Sequence, residues 1–222
     1  MTETSEPAVL CDLIQILGRR RSREAIQTLV RCVGHGDDNV AVGAIEALGR
    51  IGEGAGLEAL VEAASSGSFF RVFPAIDVLS RSADPRALAP LERLLSDPLS
   101  GTEAARALGR RGELDAVAPL SRLLVSRTHK TIRVAAGALV EIADHQRDRF
   151  GSPDALSEAF RATTGDPGAT ARRLARALSG ADAEERASIC RLLGWLGDRL
   201  AAETLVDLLE DEGQVASAAA RE

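Results

Sequence analysis

Leucines recur along the chain at a nearly constant interval, each near the end of an apolar stretch with helical spacing. The successive intervals between Leu17, Leu48, Leu79, Leu108 and Leu139 are 31, 31, 29 and 31 residues. A fixed period of roughly 20 to 50 residues is typical of repeat proteins, in which each unit packs on its neighbours. The pattern therefore predicts a series of helical repeats, and these leucines, together with Leu193, are called anchors below.

The residues around the anchors also repeat. Residues 47–52, 107–112 and 192–197 are copies of one motif, a leucine followed directly by glycine and then by a second glycine three residues later. The second glycine is expected to end a helix, because glycine readily adopts the left-handed conformation required there. One helical turn before each anchor, a small residue would permit close approach of a neighbouring helix. These positions are Leu13, Ala44, Ala75, Ala104, Ala135 and Ile189.

Helices of a different type lie between the anchor helices. Residues 87–95 and 116–124 are copies of one such helix, 29 residues apart, each with a proline in its first half that is expected to bend the helix. The composition agrees with an all-α fold, because 45% of the residues are hydrophobic but only 3% are aromatic. Strands draw on aromatic and β-branched residues, whereas Ala, Leu, Arg and Glu suit helices.

These motifs resemble the HEAT repeats, and within them the short bacterial type found in phycobilisome lyases. The resemblance is strongest over residues 84–97 and 104–109. It implies an α-solenoid of HEAT-like helix pairs forming a right-handed superhelix, with the second helix of each pair lining one face, usually the concave one. Because many unrelated activities share this scaffold, the resemblance predicts a fold and leaves the function open.

We expect residues 1–222 to form a single repeat domain with two departures from the period. The interval from Leu139 to Leu193 is 54 residues, which predicts an irregular insertion with an extra or distorted helix between about residues 145 and 180. Residues 215–222 look like the start of a further helix, with Ala220 at the small-residue position, and the next anchor would fall just past the last residue. This incomplete repeat favours a fragment of a longer protein, with an unusual terminal cap as the alternative.

Residues two and six positions before each anchor form two rows along the face of the second helices, which are the anchor helices. The charge along this face changes from Glu46 and Asp77 to Arg106, Arg133 and, nine residues before Leu139, Lys130. Such a gradient would orient an extended charged ligand, and a solvated surface without a partner is the alternative.

Three of the five phenylalanines lie within residues 69–74. Phe70 and Phe73 share a helix face that, by the row count, lines the groove, where an aromatic pair would anchor a partner. The alternative is that both fill the core and compensate for the small residues 63–67.

A third row follows each anchor by two residues and contains Arg19, Arg50, Arg81 and Arg110. This basic ridge would suit an acidic segment, a phosphopeptide or nucleic acid. The alternative is that each arginine is favoured by the helix macrodipole, by about 0.3 to 1 kcal/mol in the last turn. Trp195 occupies the same row in the last complete repeat, and it either covers the next repeat or is exposed for binding.

The sequence predicts no catalytic residue, metal site or cofactor. Cys32, His35, Asp37 and Asp38 form the only compact cluster of potential ligands, which is half of a structural zinc site. The two aspartates are better explained by helix capping. A bilin lyase site would be expected to offer aromatic walls to its tetrapyrrole, and aromatic residues are scarce in this chain.

The expected function is a non-catalytic scaffold or adaptor that binds a protein or peptide in the groove. A net charge of -6 disfavours nucleic acid as the partner. No apolar run reaches the roughly 20 residues that span a bilayer, and no signal peptide is recognisable, so a cytoplasmic location is expected. A regulatory domain or fragment of a larger signalling protein, and a HEAT-like bilin lyase, are the alternatives.

Overall fold

The computed structural model describes residues 6–52 and 54–219, and for residues 211–219 it describes the backbone alone. Within these residues the chain forms thirteen α-helices and three short 3-10 turns, with no strand. The predicted all-α fold is therefore confirmed. The chain divides into two compact units, Met1–Arg111 and Gly112–Glu222, so the prediction of one domain over residues 1–222 stays a prediction.

The first unit contains seven of the described helices. They are α1 (Pro7–Arg19), α2 (Ile26–Val33), α3 (Asp38–Ile51), α4 (Leu57–Ala64), α5 (Phe69–Arg81), α6 (Leu88–Leu94) and α7 (Gly101–Arg111). The anchor helices α1, α3, α5 and α7 pack on one another in sequence, and α2, α4 and α6 each pack on the anchor helix that follows. This gives two layers of helices, as the helix pairs of a solenoid require.

The anchors and the small residues one turn before them form the core between these layers. Leu48, Leu79 and Leu108 are buried, and so are Ala44, Ala75 and Ala104. Leu13, at the corresponding position of α1, is exposed instead. It differs because α1 is the first helix in the described part of the chain, so no preceding described helix covers that face.

A second close contact between successive anchor helices involves the glycine directly after the anchor. A Cβ atom added to Gly18 would lie 2.9 Å from the Cα of Ala47, and one added to Gly49 would lie 2.7 Å from Cγ2 of Val78. Ala47 and Val78 both directly precede an anchor, so the same contact recurs one repeat later. The sequence predicts close packing for the alanine row alone, so this glycine row is an additional contact.

The helices end at the predicted glycines. Gly52, Gly112 and Gly197 have φ angles of 77°, 69° and 62°, in the left-handed region that ends each motif. A 3-10 turn precedes α6 and another precedes α8. Pro90 and Pro119, which the sequence predicts to bend their helices, lie instead in the first turn of α6 and of α8. There the missing N–H has little consequence, since the first-turn amides of a helix have no partner within it.

The second unit contains the other six described helices. They are α8 (Val117–Leu123), α9 (His129–Phe150), α10 (Asp154–Thr163), α11 (Pro167–Ala177), α12 (Ala183–Leu196) and α13 (Arg199–Ala219). α9 packs against α8, α10, α11 and α12, and α13 packs against α11 and α12. The segment expected to be an irregular insertion, residues 145–180, contains the end of α9 and the whole of α10 and α11.

The predicted start of a new helix at residue 215 is wrong. α13 continues without a break through residue 219, because the segment is rich in helix-forming alanine and contains no proline. Ala220, assigned to the small-residue row, lies outside the described residues. None of the helices in the described ranges has both the length and the apolar character needed to cross a membrane.

Candidate binding groove

An open pocket of about 700 Å³ lies on the layer of anchor helices in the first unit. It is called the aromatic pocket below. Its lining residues come from α1, α3 and α5, and they are Cys11, Gln15, Asp38, Asn39, Val42, Gly43, Glu46, Phe69, Phe70, Phe73 and Pro74. The lining includes members of two rows that the sequence placed on this face, those two and six residues before the anchors.

Three phenylalanines at the start of α5 form one wall of this pocket. The rings of Phe69 and Phe73 meet edge to face with centroids 4.9 Å apart, and those of Phe69 and Phe70 with centroids 5.9 Å apart. Phe69 and Phe70 are 61% and 62% exposed, whereas Val72 is the residue of this turn that enters the core. The alternative that Phe70 fills the core is therefore wrong. Phe69, which is not among the predicted binding residues, belongs to the cluster.

Arg71 fixes the phenylalanine-bearing turn of α5 to the preceding repeat. Its Nε and Nη2 donate to Oδ1 of Asp38 at 3.0 and 2.9 Å, and Nη2 also donates to the carbonyl of His35 at 2.8 Å. Nη1 donates to the carbonyl of Val33 at 3.3 Å. The side chain thereby pairs with orphan carbonyls at the end of α2 and with the first residue of α3. This contact holds the aromatic pocket in place.

Pro74 lies inside α5 and contributes to the same wall. A proline has no N–H, so it cannot donate to the carbonyl four residues earlier, which belongs to Phe70. That carbonyl consequently lacks the partner it would have in a regular helix.

A second open pocket, of about 510 Å³, continues this surface along α3, α5 and α7. It shares Glu46, Phe73 and Pro74 with the aromatic pocket, and its lining also includes Asp77 and Glu103. The two pockets together are called the groove below.

Along the edge of the groove, side chains of the row two residues before the anchors pair with arginines of the basic ridge, two residues after the anchors. The residues two before and two after an anchor are four apart, so they meet on one helix face. Arg50 donates to Glu46 at 2.9 Å and Arg81 to Asp77 at 2.5 Å, and at the equivalent place in α1 Arg19 donates to Gln15 at 3.3 Å.

In α7 the arginine of the basic ridge pairs with a carboxylate seven residues earlier, and not with the residue four positions before it. Arg110 donates to Glu103 at 2.8 Å, and Arg106 forms an ion pair with the same carboxylate at 3.5 Å. All four arginines of the predicted basic ridge thus have a partner on their own helix. The ridge is a series of local pairs, an arrangement that does not favour an anion site.

Two further predicted residues lie in the second unit, where one of them has a structural role. The side chain of Arg133 is only 16% exposed and forms an ion pair with Glu185 at 2.9 Å. Its Nη1 donates to the carbonyl of Ser179 at 3.1 Å and to that of Ala177 at 3.4 Å. Arg133 therefore joins the end of α11 to α12 and does not face an open groove. Lys130, by contrast, is exposed.

Trp195 is half-buried and packs against residues of the second unit. Its ring meets that of Phe160 at 6.1 Å, and the guanidinium of Arg191 lies 5.8 Å from its ring centre. Arg191 is held in turn by two hydrogen bonds to Asp144, of 2.8 and 3.1 Å. These bonds, more than the charges of Arg191 and Arg147, hold the pKa of Asp144 below its usual value. The cluster joins α9, α10 and α12, so Trp195 contributes to their packing, and a binding role for it stays a prediction.

The cluster of potential metal ligands near Cys32 serves to cap a helix. Asp37 accepts from the amides of Asn39 and Val40 at the start of α3, and its own amide donates to Nδ1 of His35. Burial raises the pKa of the Cys32 and Cys190 thiols, which disfavours the reactive thiolate. Across the described residues, no three His, Cys, Asp or Glu side chains are grouped so as to hold a metal ion.

Comparison with known proteins supports the resemblance to HEAT repeats and the predicted fold. Residues 1–72 match the model for HEAT repeats, and no curated protein matches the chain. The fold is similar to that of an engineered protein, with a TM-score of 0.55 and 20% identity over 87% of this chain and 92% of that one. For a second engineered protein the TM-score is 0.52 and the identity 22%, over 92% of this chain and 59% of that one.

The third similar structure is the complex of CpcE and CpcF of phycocyanin lyase from Nostoc sp. PCC7120. The TM-score is 0.51 and the identity 20%, over 91% of this chain and 89% of that one. At identities this low, all three similarities concern the fold alone. Together with the family match, they confirm the resemblance to HEAT repeats and the α-solenoid.

Proposed function

We propose that this HEAT-repeat chain is a non-catalytic scaffold that binds a protein or peptide partner in the groove of its first unit. The observation that carries the proposal is the cluster of Phe69, Phe70 and Phe73 beside an open pocket on the anchor-helix layer. Exposed aromatic side chains that border a concave surface are typical anchors of protein interfaces.

The form of the groove supports binding over catalysis. Both of its pockets are wide and open to solvent, whereas small-molecule sites usually enclose most of the ligand. The charged groups along its edge are engaged in ion pairs on their own helices, and Arg71 and Asp38 hold the repeats together. The similarity to the phycocyanin lyase complex concerns the fold and carries no activity over to this chain.

A regulatory domain of a larger signalling protein is the alternative proposal. In that case the groove would be covered by another part of the same protein, and its phenylalanines would form an internal interface. The same groove residues carry both proposals.

The test is an affinity capture from a lysate of the source organism with three forms of the chain. The wild type is compared with Phe70→Ala, which removes an exposed ring from the groove. Phe150→Ala is the matched control, because Phe150 is 66% exposed and lies at the end of α9. Proteins that the wild type and Phe150→Ala retain but Phe70→Ala loses would support the groove. Equal capture of every bound protein by all three forms would contradict it.

A further inference from the structure

Apart from α10, two kinds of helix alternate along the described chain, and each anchor helix after α1 is preceded by a helix that packs on it. The pairs are α2 with α3, α4 with α5, α6 with α7, α8 with α9 and α11 with α12, and the first member of each is called a packing helix below. α1 is an anchor helix with no described packing helix before it. α13 packs on α11 as α4 packs on α2, so it is a packing helix with no described anchor helix after it.

α1 exposes a face that the next anchor helix buries. Val9, Leu13 and Ile16 share one side of α1, and each of them is half-exposed. α3 packs against both α1 and α2, and its residues 31 positions later are buried, namely Val40, Ala44 and Ala47. The three side chains of α1 thus occupy core positions of the repeat that no described helix covers.

α13 exposes an apolar side chain at a position that other packing helices bury. Placing Gly197 on Gly52 aligns α13 with α4 and puts Leu209 at the position of Ala64. The same alignment on the glycine before α8 puts Leu209 at the position of Leu124. Ala64 and Leu124 are buried, whereas Leu209 is 75% exposed. α5 packs on α4 and α9 packs on α8, but no described helix follows α13, and this difference accounts for the exposure.

The end of α12 lacks a contact that recurs in the first unit. There the glycine directly after an anchor lies against the residue that precedes the next anchor, as Gly18 does against Ala47. Gly194 directly follows an anchor too, but it is exposed, and an added Cβ would have no described atom within 4 Å. Ile16 precedes an anchor and is half-exposed on α1. The chain therefore presents both halves of this contact, the glycine on α12 and the apolar residue on α1.

We propose that a second copy of this chain docks head to tail, with its α1 packed on α12 and α13 of the first copy as their next anchor helix. Ile16 of the second copy would then lie on Gly194 of the first. Val9 and Leu13 would cover the apolar side of α13 that includes Leu209. The contact has the same form as the one between successive helix pairs within the chain, and one contact covers both exposed surfaces.

Sedimentation velocity of the wild type at about 1 to 300 μM measures this assembly, since interfaces of moderate size can associate in the micromolar range. Species larger than a single chain are expected to increase with concentration. The groove is not involved, because α1 borders the aromatic pocket through Cys11 and Gln15, on the opposite side of the helix. Phe70→Ala is therefore expected to assemble as the wild type does, which keeps this inference independent of the proposed function.

Two variants, each with a matched control, locate the contact. Ile16→Arg places a charge in the contact surface of α1, and Gly194→Leu fills the space on α12 that Ile16 would enter. Each is expected to weaken assembly about tenfold or more, as the loss of an interface anchor does. Val125→Arg alters another exposed apolar residue, and Gly137→Leu another helical glycine whose added Cβ would have no described atom within 4 Å. Both controls are expected to assemble normally, and circular dichroism checks that every variant is folded.

An equimolar mixture of Ile16→Arg and Gly194→Leu distinguishes a head-to-tail contact from a symmetric one. The first variant keeps an intact α12 and α13, and the second keeps an intact α1, so the mixture is expected to form a dimer that neither variant forms alone. A mixture that stays at the mass of a single chain would contradict the proposal. If Gly194→Leu alone still assembles and Ile16→Arg does not, α1 pairs with α1 of the other copy and the head-to-tail contact is wrong. A wild type that remains a single chain at every concentration overturns the second copy as the occupant.

Discussion

Two glycines in the contact between α1 and α3 are expected to respond in opposite ways to the same substitution. A Cβ on Gly18 would lie 2.9 Å from both Cα and Cβ of Ala47, inside van der Waals distance. A Cβ on Gly43 would meet Cγ2 of Ile14 at 3.5 Å, an ordinary contact. Both glycines are helical, so alanine is compatible with the backbone at each position.

The magnitudes follow from two opposing effects. Replacing a helical glycine by alanine stabilises a helix by up to about 1 kcal/mol, and by less at Gly18 because α1 ends one residue later. Overpacking a close contact costs about 1 to 3 kcal/mol, and Ala47 cannot relieve it by a rotamer change because one of the contacting atoms is Cα. Gly18→Ala is therefore expected to destabilise by about 1 to 2 kcal/mol, and Gly43→Ala to stabilise by about 0.5 to 1 kcal/mol.

Urea denaturation followed by circular dichroism at the helical band measures both effects. With a slope of about 1 to 3 kcal/mol per molar, the two midpoints should move in opposite directions by several tenths of a molar. The slope itself should stay constant, since neither substitution changes the surface exposed on unfolding. If Gly18→Ala were as stabilising as Gly43→Ala, the close packing of α1 on Ala47 would be refuted.

Two further substitutions test ion pairs of different kinds. Arg71→Met removes hydrogen bonds to two carbonyls and a carboxylate and should lower the free energy of unfolding by about 2 to 3 kcal/mol, whereas Arg81→Met, at an exposed pair, should change it by less than about 0.5 kcal/mol. Both are read from urea midpoints. Asp144→Asn should destabilise by about 1 kcal/mol at neutral pH, because Asp144 is partly exposed and loses its bonds to Arg191. A carboxyl whose folded pKa is lowered contributes stability above its unfolded pKa of about 3.9 and loses it as the pH falls, so the two forms should converge in acid.

The periodicity predicted the core well because anchor packing repeats locally. Leu48 and Leu79 occupy the same position in successive repeats and meet the same kinds of neighbours, so the interval alone identifies them as buried. The glycine row was missed although it was visible in the motif, since Gly18 and Gly49 were assigned no packing role. The sequence places a glycine directly after both anchors, but the 31-residue interval alone does not show which residue of the next helix each glycine contacts.

The pairs along the groove edge were also present in the sequence. The acidic row and the basic ridge were treated as separate surfaces, yet Glu46 and Arg50 are four residues apart, as are Asp77 and Arg81. Side chains with this spacing meet on a helix. The exposure of Phe70 was harder to predict, because three phenylalanines within five residues cannot all share one face, and the core-facing position of that turn went to Val72.

The roles of Arg133 and Trp195 could not be predicted from their positions relative to the anchors, because their partners lie in the part of the chain where the repeat is irregular. Arg133 contacts Ser179 and Glu185, which are distant in sequence and belong to helices that the periodicity did not resolve. Trp195 packs on Phe160, in the segment where the repeat is broken. Row counting assumes that each anchor helix has the same neighbours, and this assumption fails for α9 and α12.

One position of the repeat, six residues before the anchor, explains why we assign the binding surface to the first unit. Cys11, Val42 and Phe73 occupy it in α1, α3 and α5, and all three line the aromatic pocket. Arg133 occupies it in α9, where the contacts to α11 and α12 use the side chain for structure. Because α11 and α12 contact the side chain at this position of α9, the position does not border an open groove in the second unit. The regular stacking of α1, α3 and α5 leaves the same row uncovered, and Phe73 with its neighbours Phe69 and Phe70 makes that surface aromatic.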